Sequence, residues 1–277
     1  MSKLIVLDKA RLEGFRRLGV VGDLHGDLAS LESALSFFDL AKDGVIFLGD
    51  FADGGPFGIE VIDRVDRIMR RFSQNVFALK GNHEDYLGGY PYFDWENYSS
   101  LVSQVEKNKG RWREYFKGAF KPFVDRLALA VVVPGELLFV HGGVSSKIKS
   151  LKDLRVPTRE VELDLLWSDP FEGCGERSSG RGVGAEFGED VSRRVCGLLG
   201  VKRVVRSHEP HKVMEAGAPC YLHDGRAVTV STTTSYGVGS EAFILSINPA
   251  DFSLECYQIA SDPPVRSDIV SCVFCGP

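Results

Sequence analysis

No stretch of this sequence reaches the roughly 20 apolar residues that a membrane-spanning helix needs. The apolar run nearest the N-terminus, Leu4 to Leu7, gives way at once to mixed charge and does not read as a secretory signal. Basic charge is in deficit, with 33 Lys plus Arg against 38 Asp plus Glu and a net charge of −5. Proteins that grip a nucleic-acid backbone usually carry the opposite balance, so neither nucleic acid nor a membrane is expected as a partner. The deficit does not exclude a phosphate held by metal ions, because their charge is not in the count. No Gly-x-x-x-x-Gly-Lys-Ser/Thr loop is present, which argues against nucleotide-driven phosphoryl transfer. Internal repeats, low-complexity tracts and linkers are absent too, and one domain over 1–277 is expected. Cysteine is sparse and scattered, at 174, 196, 220, 256, 272 and 275, unlike a dense secreted disulfide scaffold. The six are expected to be free thiols in a reducing cytoplasm. Cys272 and Cys275 form a lone C-x-x-C, a weak signal from which no function is expected.

What is present is an ordinary globular balance: 277 residues, 44% hydrophobic and 26% charged. Three short apolar runs, Leu18 to Val21, Val45 to Leu48 and Val76 to Leu79, each end in glycine and a polar cluster. Apolar without alternation, they read as strands buried on both faces. Between them lie two helical periodicities. One runs from Leu28 to Phe38 behind a candidate N-cap, Asp27. The other runs from Ile59 to Phe72, with Pro56 at its start. This β-α-β-α-β opening implies parallel strands with helical crossovers, hence an α/β fold with ligands beyond the carboxyl ends of the strands.

An aromatic-rich segment at about 86–126 reads as a helical insertion, with helix formers around 101–109 and 111–117. It either packs on the sheets as a cap, the blander reading, or lines a peptide groove through residues such as Tyr90 or Trp95. Leu127 to Val133 and Glu136 to Val140 flank Pro134-Gly135 as a hairpin. After a loop-rich stretch with helices near 160–167 and 191–199, four further runs read as strands of a second sheet. These are 203–206, 227–231, 242–247 and 254–259. The arginine pairs 16–17, 70–71 and 193–194 are expected to be solvated faces.

Five polar clusters, all but the last with glycine, follow expected strands: Gly22-Asp23-Leu24-His25-Gly26, Gly49-Asp50-Phe51-Ala52-Asp53-Gly54, Gly81-Asn82-His83-Glu84, His141-Gly142-Gly143 and Arg206-Ser207-His208. Any one histidine in a loop is more often solvated or structural than a ligand. Only six histidines exist, however, and four of them fall in these clusters beside Asp23, Asp50 and Asn82. Mixed nitrogen and oxygen donors suit manganese, iron or zinc better than calcium or magnesium. Two such ions sharing a carboxylate can activate water near neutral pH and clamp phosphoryl oxygens.

The series GDLHG, GDFADGG, GNHE, HGG and RSH, in this order, resembles the phosphoprotein phosphatase family, the serine/threonine protein phosphatases among calcineurin-like metallophosphoesterases. Trp167-Ser168-Asp169-Pro170, Arg181 to Gly184 and Phe187-Gly188 extend the match, which runs from about Gly19 to Tyr236. The overall look is that of a compact microbial or archaeal member without regulatory extensions. The resemblance implies two packed mixed sheets flanked by helices. It implies that Asp23 and His25 hold one metal, that Asp50 bridges two, and that Asn82, His141 and His208 hold the second, with manganese the first choice. It further implies that His83 is the general acid, oriented by Asp53, and that Arg181, with Asn82 and Tyr236, contacts the substrate phosphate. The implied reaction is direct attack of a metal-bridging water or hydroxide on phosphoserine or phosphothreonine in a phosphoprotein.

One departure stands out. Relatives carry Asp-Arg-Gly where this chain has Asp53-Gly54-Gly55, and that arginine grips phosphate. Either another cation, such as Arg64 or Arg206, fills its role, or the substrate binds differently, or activity is low. The simplest expectation is that Gly54 weakens catalysis and that Gly54→Arg raises it. Two other functions compete: hydrolysis of dinucleoside polyphosphates or other small phosphoesters, and a metal-bound scaffold for phosphoproteins with little turnover.

Overall fold

The computed structural model describes residues 3–92, 99–237, 239–260 and 262–272. Two mixed sheets carry the architecture. The first has six strands in the order Val265–Ser267, Leu254–Gln258, Phe243–Ile247, Leu18–Val21, Gly44–Phe47, Val76–Ala78. Its last three strands are parallel, as the opening pattern requires, in the register Val20↔Ile46 and Ile46↔Phe77. The second has seven, in the order Leu4–Val6, Ala130–Val133, Leu137–Val140, Arg203–Arg206, Ala227–Thr229, Cys220–Leu222, Val270–Ser271. Among the described residues no helix is long and apolar enough to cross a membrane.

Strand parity sorts the side chains into three layers of core. Leu18, Val20, Ile46, Leu48 and Phe77 of the first sheet meet Val131, Val133, Leu137, Phe139, Val205 and Val228 of the second. The alternate residues Val21, Val45 and Phe47 face the helices Leu28–Phe37 and Gly58–Arg71. Val132, Leu138, Val140 and Val204 face the opposite helical layer, built from Arg159–Trp167 and Glu189–Leu199. A strand that serves two cores has no polar face to spare, which is why these runs are apolar at every position. Each fully buried large apolar side chain contributes about 1.5–3 kcal/mol against leaving it in water.

The C-terminal strands divide differently from the sequence expectation. Arg203–Arg206 and Ala227–Thr229 do lie in the second sheet, but Phe243–Ile247 and Leu254–Gln258 join the first, with Ile244 opposite Val21. Phe243–Ile247 is buried throughout and needs cover on both faces. The place beside Leu18–Val21 supplies it: Phe243, Leu245 and Ile247 face the second sheet, and Ile244 faces the helices.

The insertion begins with a short hairpin, Tyr86–Leu87 with Tyr90–Pro91. It continues as the helix Leu101–Asn108, capped by Ser100, and then a helical run over Trp112–Val124 with one wide turn at Phe116–Phe120. Trp112, Phe120 and Phe123 are buried in the helix-side core, where Phe123 meets Phe51 edge-on. These aromatics are packing residues. Tyr90 is exposed, and Trp95 lies outside the described residues.

The cysteines depart from expectation. Cys220 and Cys272 form a disulfide, with their Cα atoms 5.1 Å apart, joining the parallel strands Cys220–Leu222 and Val270–Ser271. Cys174, Cys196 and Cys256 are free thiols, and Cys275 lies outside the described residues. Cys272 and its partner are 52 residues apart in sequence, and no local spacing encodes such a pairing.

Candidate functional site

All five polar clusters lie just past the carboxyl ends of strands, three from the first sheet and two from the second, on the rim where both sheets end together. The connections are tight. A Cβ on Gly81 would fall 2.1 Å from Asp50 Oδ1, and one on Gly22 would fall 2.5 Å from the Val230 carbonyl oxygen. The loops can approach this closely only because glycine stands at both positions. Among the described residues seven non-glycine residues have positive φ, and four of them are in the site: His25 (45°), Asp50 (54°), Asp53 (67°) and His208 (72°). Such conformations cost about 1–3 kcal/mol each and persist only where the surroundings enforce them.

Asp50 is the hub. Its Oδ2 lies 3.5 Å from His25 Nε2, 3.4 Å from His141 Nε2 and 3.9 Å from His83 Nε2. Its Oδ1 accepts the His83 amide at 3.0 Å. Two clusters of donor atoms therefore share this carboxylate: Asp50 with His25 and His83, and Asp50 with His141 and His208. Asn82 Oδ1 and His208 Nδ1 stand 2.8 and 3.2 Å from His141 Nε2. Asp23 closes the other side, accepting the His208 amide at 3.1 Å and lying 3.7 Å from His141 Nδ1. Its own amide donates to Ser207 Oγ.

The hydrogen bonds fix which ring atoms face inward. His141 Nδ1 donates to the Leu48 carbonyl at 2.9 Å, and His25 Nδ1 to the Asp53 carbonyl at 2.9 Å. Their Nε2 atoms are thus turned toward Asp50. His208 turns Nδ1 inward, while its buried Nε2 has no hydrogen-bond partner among the described residues and its ring stands edge-on to Trp167. Lone-pair atoms of Asp50, Asn82, His141 and His208 converge on one point, so a proton or a metal cation must sit among them.

The electrostatics agree. Burial alone would raise Asp50, but His141 and His83 outweigh it and hold the carboxyl well below the usual range. Burial raises Asp23, and Asp50 adds to the shift. Burial would lower His83, yet Asp50 and the Asp53 hydrogen bond lift it to about 9. His141 is raised against burial, chiefly by Asp50, whereas burial lowers His25 and His208. The site favours positive charge beside Asp50 and keeps two imidazoles neutral, the form that ligates metals.

His83 Nδ1 lies 2.9 Å from Asp53 Oδ2, and the other Asp53 oxygen accepts the Leu101 amide at 2.6 Å. Tyr236 Oη lies 3.1 Å from His25 Nε2. Arg181 donates Nε–H to Asp169 Oδ2 at 2.7 Å and acts electrostatically on both His208 and Tyr236. The opposite Asp169 oxygen accepts from Arg206 at 2.7 Å. Arg206 is fully buried and also donates to Gly142, Glu209 and Thr229, so it does not substitute for the family arginine. Nor does Arg64, whose guanidinium is paired with Glu32. The loop itself explains Gly54. Its φ of 105° is one that a side chain rarely adopts, although a Cβ there would make only ordinary van der Waals contact with His25, at 3.5 Å.

Two residues with positioning roles escaped the sequence reading. Glu84 is fully buried and accepts the amides of Asp50, Phe51 and Gly81, each at 2.9 Å. Burial and Asp50 raise it to about 7. The signal was in view, as the last residue of GNHE. Gln104, on the insertion helix, accepts the Gly58 amide and donates to the Gly55 and Ser99 carbonyls, tying down the glycine loop. Nothing local in the sequence marks it.

A family model for calcineurin-like phosphoesterases matches residues 16–212. A serine/threonine-protein phosphatase of Caenorhabditis elegans is 28% identical over 289 residues, covering 97% of this chain and 61% of that protein. Serine/threonine-protein phosphatase 5 of Homo sapiens is 28% identical over 278 residues, covering 95% of this chain and 52% of that protein. The chain thus spans between half and two thirds of these curated relatives. Among solved structures, a serine/threonine phosphatase from Saccharomyces cerevisiae described as similar to human PP5 superposes with a TM-score of 0.75 at 21% identity. It covers 98% of this chain and 84% of that one. With the fold, the donor clusters at the strand ends and a family match over most of its length, the chain belongs to the calcineurin-like phosphoesterases.

Proposed function

We propose that this chain is a metal-dependent phosphomonoester hydrolase that removes phosphate from serine or threonine side chains of proteins. The observation that carries the reading is Asp50, one buried carboxylate shared by two clusters of neutral-capable donors. Asp23 and His25 would serve one ion, and Asn82, His141 and His208 the other, with Asp50 common to both. Manganese, iron or zinc suits this donor chemistry, manganese being our first choice. When bound, such a pair supplies Lewis-acid activation of water and neutralises charge on the phosphoryl group.

The chain's own groups do the rest. The Asp53 hydrogen bond and the nearby Asp50 carboxylate favour the protonated form of His83 over burial. Its Nδ1 is engaged by Asp53, and we assign the Nε2 proton to the departing serine or threonine oxygen. His83 therefore fits a proton donor better than a ligand, although it falls in one donor cluster. Asp53, fixed in turn by the Leu101 amide, sets the ring orientation. Arg181, anchored through Nε to Asp169, keeps its terminal nitrogens for phosphate oxygens, and Asn82 and Tyr236 border the same space. The likeness to serine/threonine-protein phosphatases over 95% or more of the chain supports a phosphoprotein substrate.

The test is a comparison of phosphoserine peptide, phosphotyrosine peptide and diadenosine tetraphosphate with purified protein in Mn²⁺. Phosphoserine peptide is expected to give the highest kcat/KM, with His83→Ala reducing kcat about 10²–10⁴-fold. Better cleavage of the dinucleotide would overturn the substrate assignment. No turnover of any phosphoester would overturn the enzymatic one.

A further inference from the structure

We propose that His211 is a positioning residue that holds Tyr236 over the His25 side of the site; this rests on the function proposed above and extends it to a residue that takes no part in the donor clusters. His211 is an exposed imidazole on the first turn of the helix Pro210–Ala216, three residues beyond His208. Its ring stands edge-on to the ring of Tyr236, centroids 4.8 Å apart and planes at 82°. Tyr236 in turn lies 4.7 Å, ring to ring, from His25, and its hydroxyl is 3.1 Å from His25 Nε2. One tyrosine thus touches a donor of the site with one contact and a solvent-facing histidine with another.

The surrounding hydrogen bonds explain why this contact matters. At the near end of the Tyr236 loop, Asp27 accepts the Thr234 amide at 2.8 Å and its hydroxyl at 2.6 Å, and Ser235 donates its amide to Thr233 Oγ1 at 3.0 Å. Beyond Tyr236, Ser240 Oγ lies 3.1 Å from Met214 Sδ on the same helix as His211. Gly237 and Gly239 both have positive φ, and the Ser240 amide donates to the Gly237 carbonyl at 3.1 Å. The His211 contact fixes the tyrosine between these tethers. A T-shaped pair of this kind is worth about 0.5–1.5 kcal/mol beyond area burial, or about two- to tenfold in the population of the docked loop.

Hydrogen exchange on metal-free protein reads the contact without reference to activity. His211→Ala is expected to speed exchange of the Thr234 and Ser235 amides by about two- to tenfold while the strands keep their protection, and His211→Phe is expected to restore the native rate. Unchanged exchange in His211→Ala, or failure of phenylalanine to rescue, would overturn the proposal. Turnover of p-nitrophenyl phosphate in Mn²⁺ supplies the second reading. His211→Ala is expected to lower kcat/KM by a comparable factor in the native background and to add nothing in a Tyr236→Ala background. Additive losses would show that His211 acts independently of Tyr236 and would also overturn it. If the native protein turned over no phosphoester, the function proposed above would fall, and the exchange rates would still decide whether His211 positions Tyr236.

Discussion

Replacing Gln104 with leucine tests whether the insertion supports the site or merely covers the core. Leucine nearly matches glutamine in size and is an equal or better helix former, so the helix Leu101–Asn108 should persist. What disappears is a clamp: acceptance of the Gly58 amide at 2.9 Å and donation to Gly55 O at 3.0 Å and Ser99 O at 2.7 Å. Gly58 and Gly55 are buried, whereas Ser99 is half-buried, so its carbonyl can turn to water. An orphaned buried amide costs about 1–3 kcal/mol, and the Gly55 carbonyl forfeits about 0.5–1.5 kcal/mol. The added apolar burial of leucine returns about 1 kcal/mol. The net expectation is a loss of about 0.5–3.5 kcal/mol, seen as a lower urea midpoint at constant m-value. The clamped loop also carries Asp53 and contacts the His25 carbonyl, so kcat/KM should fall while thermal unfolding remains cooperative. A loss below about 0.5 kcal/mol with unchanged kcat/KM would refute the reasoning, because the orphaned amide would then have found another partner.

Gly54→Arg is expected to lose about 1–3 kcal/mol of stability, as Gly54→Ala should, since both place a side chain at φ of 105°. A tenfold gain in kcat/KM on a phosphoserine peptide would instead show that the loop re-forms around an arginine. Asp43 gives the pH prediction. Burial would raise it, but hydrogen bonds from Arg16, the Asp39 amide and Arg17 outweigh burial and hold its pKa below the ordinary 3.8. A depressed folded-state pKa stabilises above the unfolded value and loses that contribution as pH falls through the folded one. The stability gap between native protein and Asp43→Asn should therefore be full at pH 6 and close below about pH 4; a gap independent of pH would contradict it.

Much of this was legible because it is local. The strands Leu18–Val21, Gly44–Phe47 and Val76–Ala78 and the helices between them follow from short apolar runs and a 3.6-residue period, and Asp27 caps the helix that it precedes. The donors Asp23, His25, Asp50, Asn82, His141 and His208, with Asp53 and His83, were marked by polar clusters at strand ends, which the structure brings onto one rim, whereas Arg181 and Tyr236 were marked only by the family resemblance. What was not legible depends on partners distant in sequence. Phe243–Ile247 reads as a strand, but only its neighbours determine which sheet it enters. Cys220 meets Cys272 across 52 residues. Gln104 looks like any surface helix residue until the glycine loop is seen beneath it. Gly54 reads as a missing arginine from its place in the motif, but its φ of 105° is visible only in the folded loop.

The most direct test of the central claim is crystallography of metal-loaded protein with anomalous scattering, alongside elemental analysis of native protein and Asp50→Asn. Two ions per chain are expected, about 3.5–4 Å apart, with an Asp50 oxygen shared between them, and Asp50→Asn should lose at least one. A fully loaded native protein with a single ion, or with two ions that Asp50 does not touch, would contradict the account.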